Sequence, residues 1–488
     1  MGGTTVSGEE VIDLVVIGFG PVGATMAGLA ASRGRSVLVV ERDLELFGLP
    51  RAVQCDHEVL RILQELGIVE EVLAGSVVND GIAFLTADRR DLLRMTLPEV
   101  APTGWPPSVF FHQPTFEMIL RRRVTELGAQ VRLGVAVESL SQDDDSAAVV
   151  LSDGTAVRAR VVVGCDGARS STRAAIGSTL VDTGFDESWL VVDLLLSAPV
   201  PDLPSLCLQV CDPARPHTLV PMPGNRFRFE FMLLPGEDPA WIQRPDVVRE
   251  LVAAWLDPDL AEVERGAVYT FHGLVASRWR DRRIFLAGDA AHQTPPFLGQ
   301  GMCAGMRDAA NLAWKVDAVL DGASEALLDT YQLERQPHAQ AVIDAAVGFG
   351  QLICMTDPVE AAARDEAMLA APAEPTEAPE IVPPLVSGPA VGTGGGALSA
   401  QPRIGESLLD DVVGQRFCLV VAEPLDEASS IAAWWKGVGA VVDVRTHPAA
   451  ERLLDGAPAC VIRPDRYVLA RGDLAMVTDL TRALVAPS

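Results

Sequence analysis

The sequence predicts an α/β protein of more than one domain, on three observations. At 488 residues the chain exceeds what one hydrophobic core ordinarily organises. Near its start an apolar run, a glycine-rich turn, a small-residue helix and a second apolar run succeed one another, the order of a parallel strand–helix–strand unit. Between about residues 186 and 270 the pattern changes to short alternating stretches, which read as antiparallel strands, and from Arg416 strands and helices alternate again. The expected architecture is a Rossmann-like unit with an inserted antiparallel sheet, followed by a small α/β unit.

Composition narrows the partners. Hydrophobic residues make up 49% and charged residues 22%, a balance that reads as globular. Lys and Arg number 39 against 66 Asp and Glu, a formal charge of −27. Such a surface repels phosphate, so neither nucleic acid nor an anionic membrane is an expected partner. No apolar run approaches the ~20 residues of a membrane helix, and residues 1–10 lack a basic segment leading into an apolar one, so no membrane span or signal peptide is expected. The eight cysteines are scattered without a Cys-x-x-Cys pair; no metal site is expected, and the cytoplasm is the expected compartment.

Residues 11–17 form the first apolar strand and end at Gly18-Phe-Gly20-Pro21-Val22-Gly23; a helix over 24–32 closes at Gly34, and a strand over 37–40 ends in Glu41. Gly18 makes the tight turn, Gly20 lets the backbone approach a pyrophosphate, Gly23 lets helix and sheet pack closely, and Glu41 accepts ribose hydroxyls. The unit predicts dinucleotide binding. Its place near the N-terminus, with a second ligand-gripping loop far downstream, points to FAD stretched across the domain.

A loop over 42–50 leads through Arg51 into a helix ending before Gly67. Arg51 fits a surface charge and a reach to the ligand equally well. Residues 76–110 read as short strands and loops, and Gln113-Pro-Thr starts a helix to about 127. Gln113 suits either helix initiation or a contact to the cofactor. A meander over 129–163 delivers Asp166-Gly167, followed by Arg169 and Arg173. Strands at 189–196, 206–211, 218–222 and 226–234, with a helix near 246–255, form the insertion, where Phe229, Phe231 and Met232 read as core. Pockets favour such domain boundaries, which makes the insertion the roof of a substrate cavity.

The stretch Arg283–Met302 carries the second loop. An apolar strand delivers Gly288 and Asp289, Pro295 and Pro296 stiffen the loop beyond them, and residues 299–301 open a helix to about Leu320. Asp289 offers a carboxylate to sugar-alcohol hydroxyls, and the helix start presents free N–H groups and partial positive charge. A second helix spans 325–349, residues 351–400 read as a linker rich in Ala, Pro, Glu and Gly, and the tail continues with a strand at 416–421, a helix at 428–435, strands at 441–444, 459–462 and 467–469, and a helix at 473–484.

Three signatures in order, Gly18-x-Gly20-x-x-Gly23 with Glu41, Asp166-Gly167, and Gly288-Asp289-Ala-Ala-His292 with Pro295-Pro296, resemble the group A flavoprotein monooxygenases. These are single-component aromatic hydroxylases on a glutathione-reductase-type FAD domain. Pro50-Arg51-Ala52, Gln113 and the wording from Gly299 to Lys315 resemble the branch of 3-(3-hydroxyphenyl)propionate hydroxylase and the antibiotic-tailoring phenol hydroxylases. The resemblance implies an FAD domain over 10–180 and 265–350, a substrate sheet over 181–264 with parts of 76–110, a linker over 351–400, and a thioredoxin-like tail over 401–488 without redox cysteines. It implies that Glu41 binds the adenosine ribose, that Arg42 and Gln113 touch FAD, that Asp289 holds the ribityl chain, and that Gly299, Gly301 and Met302 hold the pyrimidine edge. Asp166-Gly167 would serve FAD and NAD(P)H together, and Arg51, Pro295 and Pro296 would flank a flavin that moves between two positions.

The reaction so implied is hydroxylation of a phenolic or polyketide-like aromatic ring by NADPH or NADH and molecular oxygen through a flavin C4a-hydroperoxide, in a monomer or homodimer. The cofactor carries the chemistry, so no catalytic base is assigned, and His292 reads as packing the cofactor loop. Epoxidising or Baeyer–Villiger oxygenation on the same fold is one alternative, and a flavin-binding module without turnover is another. A halogenase is disfavoured because the Trp-x-Trp-x-Ile-Pro string is absent.

Overall fold

A computed structural model of the chain describes residues 11–46, 48–370, 376–377 and 382–486. Residues 1–10, on which the signal-peptide expectation rests, lie outside the described residues. An eight-stranded sheet with five parallel strands organises the cofactor-motif region. Ile12–Ile17 lies between Val37–Glu41 and Ala156–Gly164, with Gln130–Leu133 beyond the former and Ile284–Leu286 beyond the latter, all five parallel. Leu14, Val15 and Val16 are fully buried, as in strands covered on both faces. Each such side chain stabilises the fold by about 1.5–3 kcal/mol.

The register aligns the strand ends. Ile17 sits opposite Val40 and Gly164, and Gly164 opposite Leu286. Gly18, Cys165 and Ala287 therefore leave the sheet side by side at its carboxyl edge, where open parallel sheets bind ligands.

A nine-stranded sheet forms the second layer of the architecture. Its spine is the pair Leu180–Leu196 and Ala261–Ala276, antiparallel from Leu196 opposite Ala261 to Leu180 opposite Ala276. The expected boundary between residues 264 and 265 falls inside the second of these strands, which runs on without interruption. Residues 265–276 thus belong to this sheet and not to the parallel one. Pairing with Leu180–Leu196 on both sides of an irregularity between Asp182 and Asp186 decides this, and the polar Glu262, Glu264, Arg265 and His272 hide the strand pattern in the sequence. Arg226–Met232, His217–Met222 and Cys207–Val210 continue the sheet, and Gly81–Leu85 joins it parallel to Cys207–Val210. At the other edge His292–Gln293, in the loop after Asp289, pairs with Ala261–Ala276.

The stretch 351–400 is more structured than the linker expected there. The helix Ala326–Ile353 continues past residue 349, and a further helix, Pro358–Leu369, is started by Asp357, whose carboxylate accepts the N–H groups of Val359 and Glu360. Leu385 and Val391 are buried with Tyr467. Most of 373–384 lies outside the described residues.

The tail is a four-stranded sheet in the order Gly439–Asp443, Phe417–Val421, Ala459–Ile462, Val468–Gly472, the first pair parallel and the others antiparallel. Helices Ser430–Val438 and Leu474–Val485 pack on it. Buried ion pairs tie it to the rest: Arg463 Nη2 lies 2.8 Å from Glu334 Oε2, and Arg61 Nε 2.5 Å from Asp410 Oδ2. No single helix among the described residues is long and apolar enough to cross a membrane.

Candidate active site

The glycines of the first turn have different tasks. Gly18 has φ +99, and a Cβ there would fall 2.4 Å from the carbonyl oxygen of Cys165. A Cβ on Gly23 would fall 2.0 Å from the carbonyl oxygen of Gly18. Both are needed for contacts within the protein. At Gly20, however, a Cβ would meet no atom within 4 Å, and this residue borders a cavity of about 720 Å³. The missing side chain at Gly20 is therefore room for a ligand.

The cavity brings together most of the residues expected at the site. Gly20, Pro21, Val22, Arg51, Gln113, Asp289, Pro296, Gly299, Gly301 and Met302 all border it. Asp289 is open to the cavity while protein encloses it elsewhere; this burial raises its carboxyl pKa, opposed by His292 and Arg51. Its carboxylate has no side-chain hydrogen bond among the described residues, which suits it to accept sugar hydroxyls. The helix Gly301–Leu320 begins at the cavity wall, so its first-turn N–H groups and its partial positive charge face the space. These features fit FAD: a side-chain-free approach at Gly20, an unpartnered carboxylate at Asp289, and amide donors at the helix start.

Other expected residues do not border the cavity. Glu41 accepts the backbone N–H groups of Phe19 at 2.7 Å and Asp43 at 3.0 Å, so its carboxylate first of all fixes the glycine turn. Arg42 stands at the surface, 3.7 Å from Asp43. The Asp166 carboxylate accepts the hydroxyls of Ser170, Ser171 and Thr172 and the N–H of Thr172, which commits it to the start of the helix Ser171–Ala175; its neighbours Cys165 and Gly167 border the cavity in its place. His292 is buried, stacked on Trp279 and paired with Asp308, and Pro295 is buried outside the cavity lining. Gln113 borders the cavity, but its amide is engaged: Oε1 accepts the N–H groups of Arg51 and Ala52 at 2.7 and 2.6 Å, and Nε2 donates to Glu117.

The sequence reading missed the groups that hold the Pro50–Ala52 loop from the sheet side. Arg228 Nε and Nη2 contact the Asp193 carboxylate at 2.6 and 3.0 Å, while Nη1 and Nη2 donate to the carbonyls of Arg51 and Pro50, each at 2.7 Å. Arg265 adds a bond to the Pro50 carbonyl and lies 3.5 Å from Asp193. This buried arginine–aspartate–arginine group joins the nine-stranded sheet to the loop. A signal was present: in Arg226-Phe-Arg-Phe-Glu-Phe-Met232 the phenylalanines face the core and the intervening Arg228 and Glu230 face the cavity. Among the described residues no group of three His, Cys, Asp or Glu could hold a metal.

Residues 11–346 match the family described as FAD binding domain. Over 98% of its length the chain is 39% identical to the probable NADH-specific resorcinol 4-hydroxylase of Rhodococcus jostii (strain RHA1), covering 96% of that protein. It is 35% identical to a 3-(3-hydroxy-phenyl)propionate/3-hydroxycinnamic acid hydroxylase of Mycobacterium sp. (strain JLS), over 88% of this chain and 79% of the relative. Among solved structures, aklavinone-11 hydroxylase in ternary complex with FAD and aklavinone superposes with a TM-score of 0.82 at 23% identity, covering 98% of this chain and 100% of that one. The flavin-dependent monooxygenase PieE, with FAD and substrate, gives 0.82 at 21% identity over 99% and 100%. At these identities the structures speak for the fold.

Proposed function

The chain belongs to the FAD binding domain family of flavoprotein hydroxylases, and on that premise we propose that it is an FAD-dependent monooxygenase that uses NADH and molecular oxygen to hydroxylate a small phenolic ring. One observation carries the reading. A single cavity joins the cofactor loops at Gly20, Asp289 and Gly299–Met302 to the face of the antiparallel sheet carrying Gln209, Thr218 and Glu230. The resorcinol hydroxylase likeness, over nearly the whole of both chains, supports a small phenol and NADH.

In this reading Gly20 would leave space for the pyrophosphate, Asp289 would bind the ribityl hydroxyls, Glu41 would hold the glycine turn beside the adenosine ribose, and the amides of Gly301 and Met302 would hold the pyrimidine edge. When bound there, FAD would supply the hydride acceptor for the nicotinamide and the activation of dioxygen. The chain's own tasks are placement and exclusion of water. Phe84, Phe271 and Phe297, with Ile82 and Met95, make the substrate end apolar, and a dry site keeps activated oxygen from side reactions. The start of the helix Gly301–Leu320 at the cavity wall would favour negative charge developing on a cofactor held there. We read the nine-stranded sheet as the substrate domain and the tail as a thioredoxin-like structural domain. Its cysteines support this: burial pushes Cys418 up to about 12 and Cys460 up to about 11, far from a reactive thiolate.

The test is turnover of resorcinol with NADH under isotopically labelled dioxygen. One labelled oxygen in a ring-hydroxylated product is expected; product without label contradicts monooxygenation.

A further inference from the structure

The polar side chains of the substrate sheet lie in one row. Gln209 sits opposite Thr218, and Thr218 opposite Glu230, on three adjacent strands. Directly opposed residues project from the same face of a sheet, and all three border the cavity. The Thr218 hydroxyl donates to Gln209 Oε1 at 2.6 Å, which fixes the amide and turns Nε2 into the free end of the pair. That nitrogen has only a 3.9 Å contact to Cys207 Sγ. Glu230 has no side-chain hydrogen bond among the described residues; its nearest cation is Arg228, 3.7 Å away. The row thus ends in an acceptor and, two strands away, a donor.

Arg228 is not available to a substrate anion. Four of its five N–H donors are used on Asp193, Pro50 and Arg51. A carboxylate-bearing ring placed against this row would meet Glu230 beside a cation that Asp193 already matches, whereas a ring hydroxyl would find an acceptor.

We propose that Glu230 accepts the proton of a ring hydroxyl of the substrate, and that the Gln209–Thr218–Glu230 row selects an uncharged polyhydroxylated ring over a carboxylate-bearing one. The inference rests on the hydroxylase reading above. In the step, the phenolic O–H bond breaks and an O–H bond forms on the Glu230 carboxylate; the electron pair stays on the phenolic oxygen and enriches the ring carbons ortho and para to it, which are to receive the oxygen. The charged and titratable groups around Glu230 are Arg228 on its own strand, Asp193 and Arg265 on the strands to one side, and Cys207 on the other. Burial raises the Glu230 pKa and Asp193 adds to this, against Arg228 and Arg265. A carboxylate so raised is a stronger base than an ordinary glutamate. It accepts a proton above its own pKa and not below it.

The holoprotein and its Glu230→Gln and Thr218→Val variants test this. Resorcinol and 3-(3-hydroxyphenyl)propionate are titrated against the flavin absorbance, and the pH profile of kcat/KM is recorded with resorcinol. Wild type should bind resorcinol at least about tenfold more tightly than the propionate, and show an acid limb above the ordinary glutamate range. Glu230→Gln should weaken resorcinol about tenfold, the size of one hydrogen bond to a charged group, narrow the preference and abolish the limb. Thr218→Val should weaken resorcinol and keep the limb. Wild-type affinity and an intact limb in Glu230→Gln overturn the inference while leaving the hydroxylase reading standing, as does a wild type that prefers the propionate. A wild type that turns over no phenol overturns both. If Glu230→Gln fails to retain flavin, Thr218→Val decides: unchanged resorcinol binding overturns the row.

Discussion

The Nε2 nitrogen of His292 lies 2.7 Å from Oδ2 of Asp308, and both side chains are buried. Burial opposes the charge on Asp308, but His292 and Arg335 outweigh it and hold the carboxyl below its usual range. An ionised carboxylate only accepts, so Nε2 carries the hydrogen. The same Oδ2 accepts the N–H of Gly288 at 3.1 Å, and Oδ1 takes Arg335 Nε at 2.9 Å. The pair therefore fixes the backbone next to Asp289 from behind, and His292 does not border the cavity.

Replacing Asp308 with Asn leaves Arg335 buried and unmatched. The expected cost is on the order of 3–5 kcal/mol of stability, with flavin lost in proportion as the Gly288 loop loosens. Thermal unfolding and flavin content per chain check this; an unaltered melting curve contradicts the role given to Asp308.

Asp289 next door should behave in the opposite way. Because its carboxylate has no side-chain partner among the described residues, Asp289→Ala should change the stability of the apoprotein by no more than about 0.5 kcal/mol. FAD affinity should fall clearly. The measurements are apoprotein melting and FAD titration, and unchanged FAD affinity removes the assignment.

Gly20 and Gly23 separate by the same logic. Gly20→Ala adds a methyl where no atom lies within 4 Å, on a backbone with φ −72 that alanine adopts freely. The apoprotein should fold as wild type and bind FAD poorly. Gly23→Ala drives a methyl to 2.0 Å from the Gly18 carbonyl oxygen and should destabilise the fold itself. Circular dichroism of the two apoproteins distinguishes them; equal melting temperatures contradict the division of tasks.

Acid should weaken the anchorage of the tail. Glu334 accepts Arg463 at 2.8 Å and Asn311 at 2.8 Å, with Lys315 Nζ 3.0 Å away. Burial would raise its pKa, yet Arg463 and Lys315 bring it down to about 2. Lys315 is itself pulled down to about 8 by burial, with Arg463 adding to this, because two cations share the carboxylate. A depressed carboxyl stabilises the fold above its unfolded value of ~4.3 and loses that contribution as pH falls toward about 2. Glu334→Gln should be less stable at neutral pH and show a flatter decline over this window. A wild-type slope in the variant, measured by denaturant unfolding, contradicts the linkage.

The parallel unit was legible because its signals are local: the run before Gly18, the glycine spacing and Glu41 lie within about thirty residues of one another. The loop at Asp289 and the helix after Gly299 were legible for the same reason, as were the strands and helices of the tail. The spine strands Leu180–Leu196 and Ala261–Ala276 were seen only in part, since partners 65 to 96 residues apart supply the pairing that overrides their polar residues. The helix Pro358–Leu369 had a readable start in Asp357-Pro358, masked by the alanine-rich and proline-rich stretch around it. Asp193, Arg228 and Arg265 escaped because charges in a strand read as a wet face until the fold places them against Pro50 and Arg51. Asp166 and Gln113 were expected to meet the cofactor; in the structure the Asp166 carboxylate holds hydroxyls and an N–H at the start of its own helix, and the Gln113 amide holds the backbone of Arg51 and Ala52 and the Glu117 carboxylate.

The most direct test of the central claim is the visible spectrum of the purified protein followed by NADH oxidation with and without resorcinol. The account predicts the absorption bands of bound oxidised flavin, and NADH consumption stimulated by resorcinol with hydroxylated product formed in step. A protein that cannot be loaded with flavin, or a flavoprotein whose NADH consumption ignores every phenol offered, contradicts it.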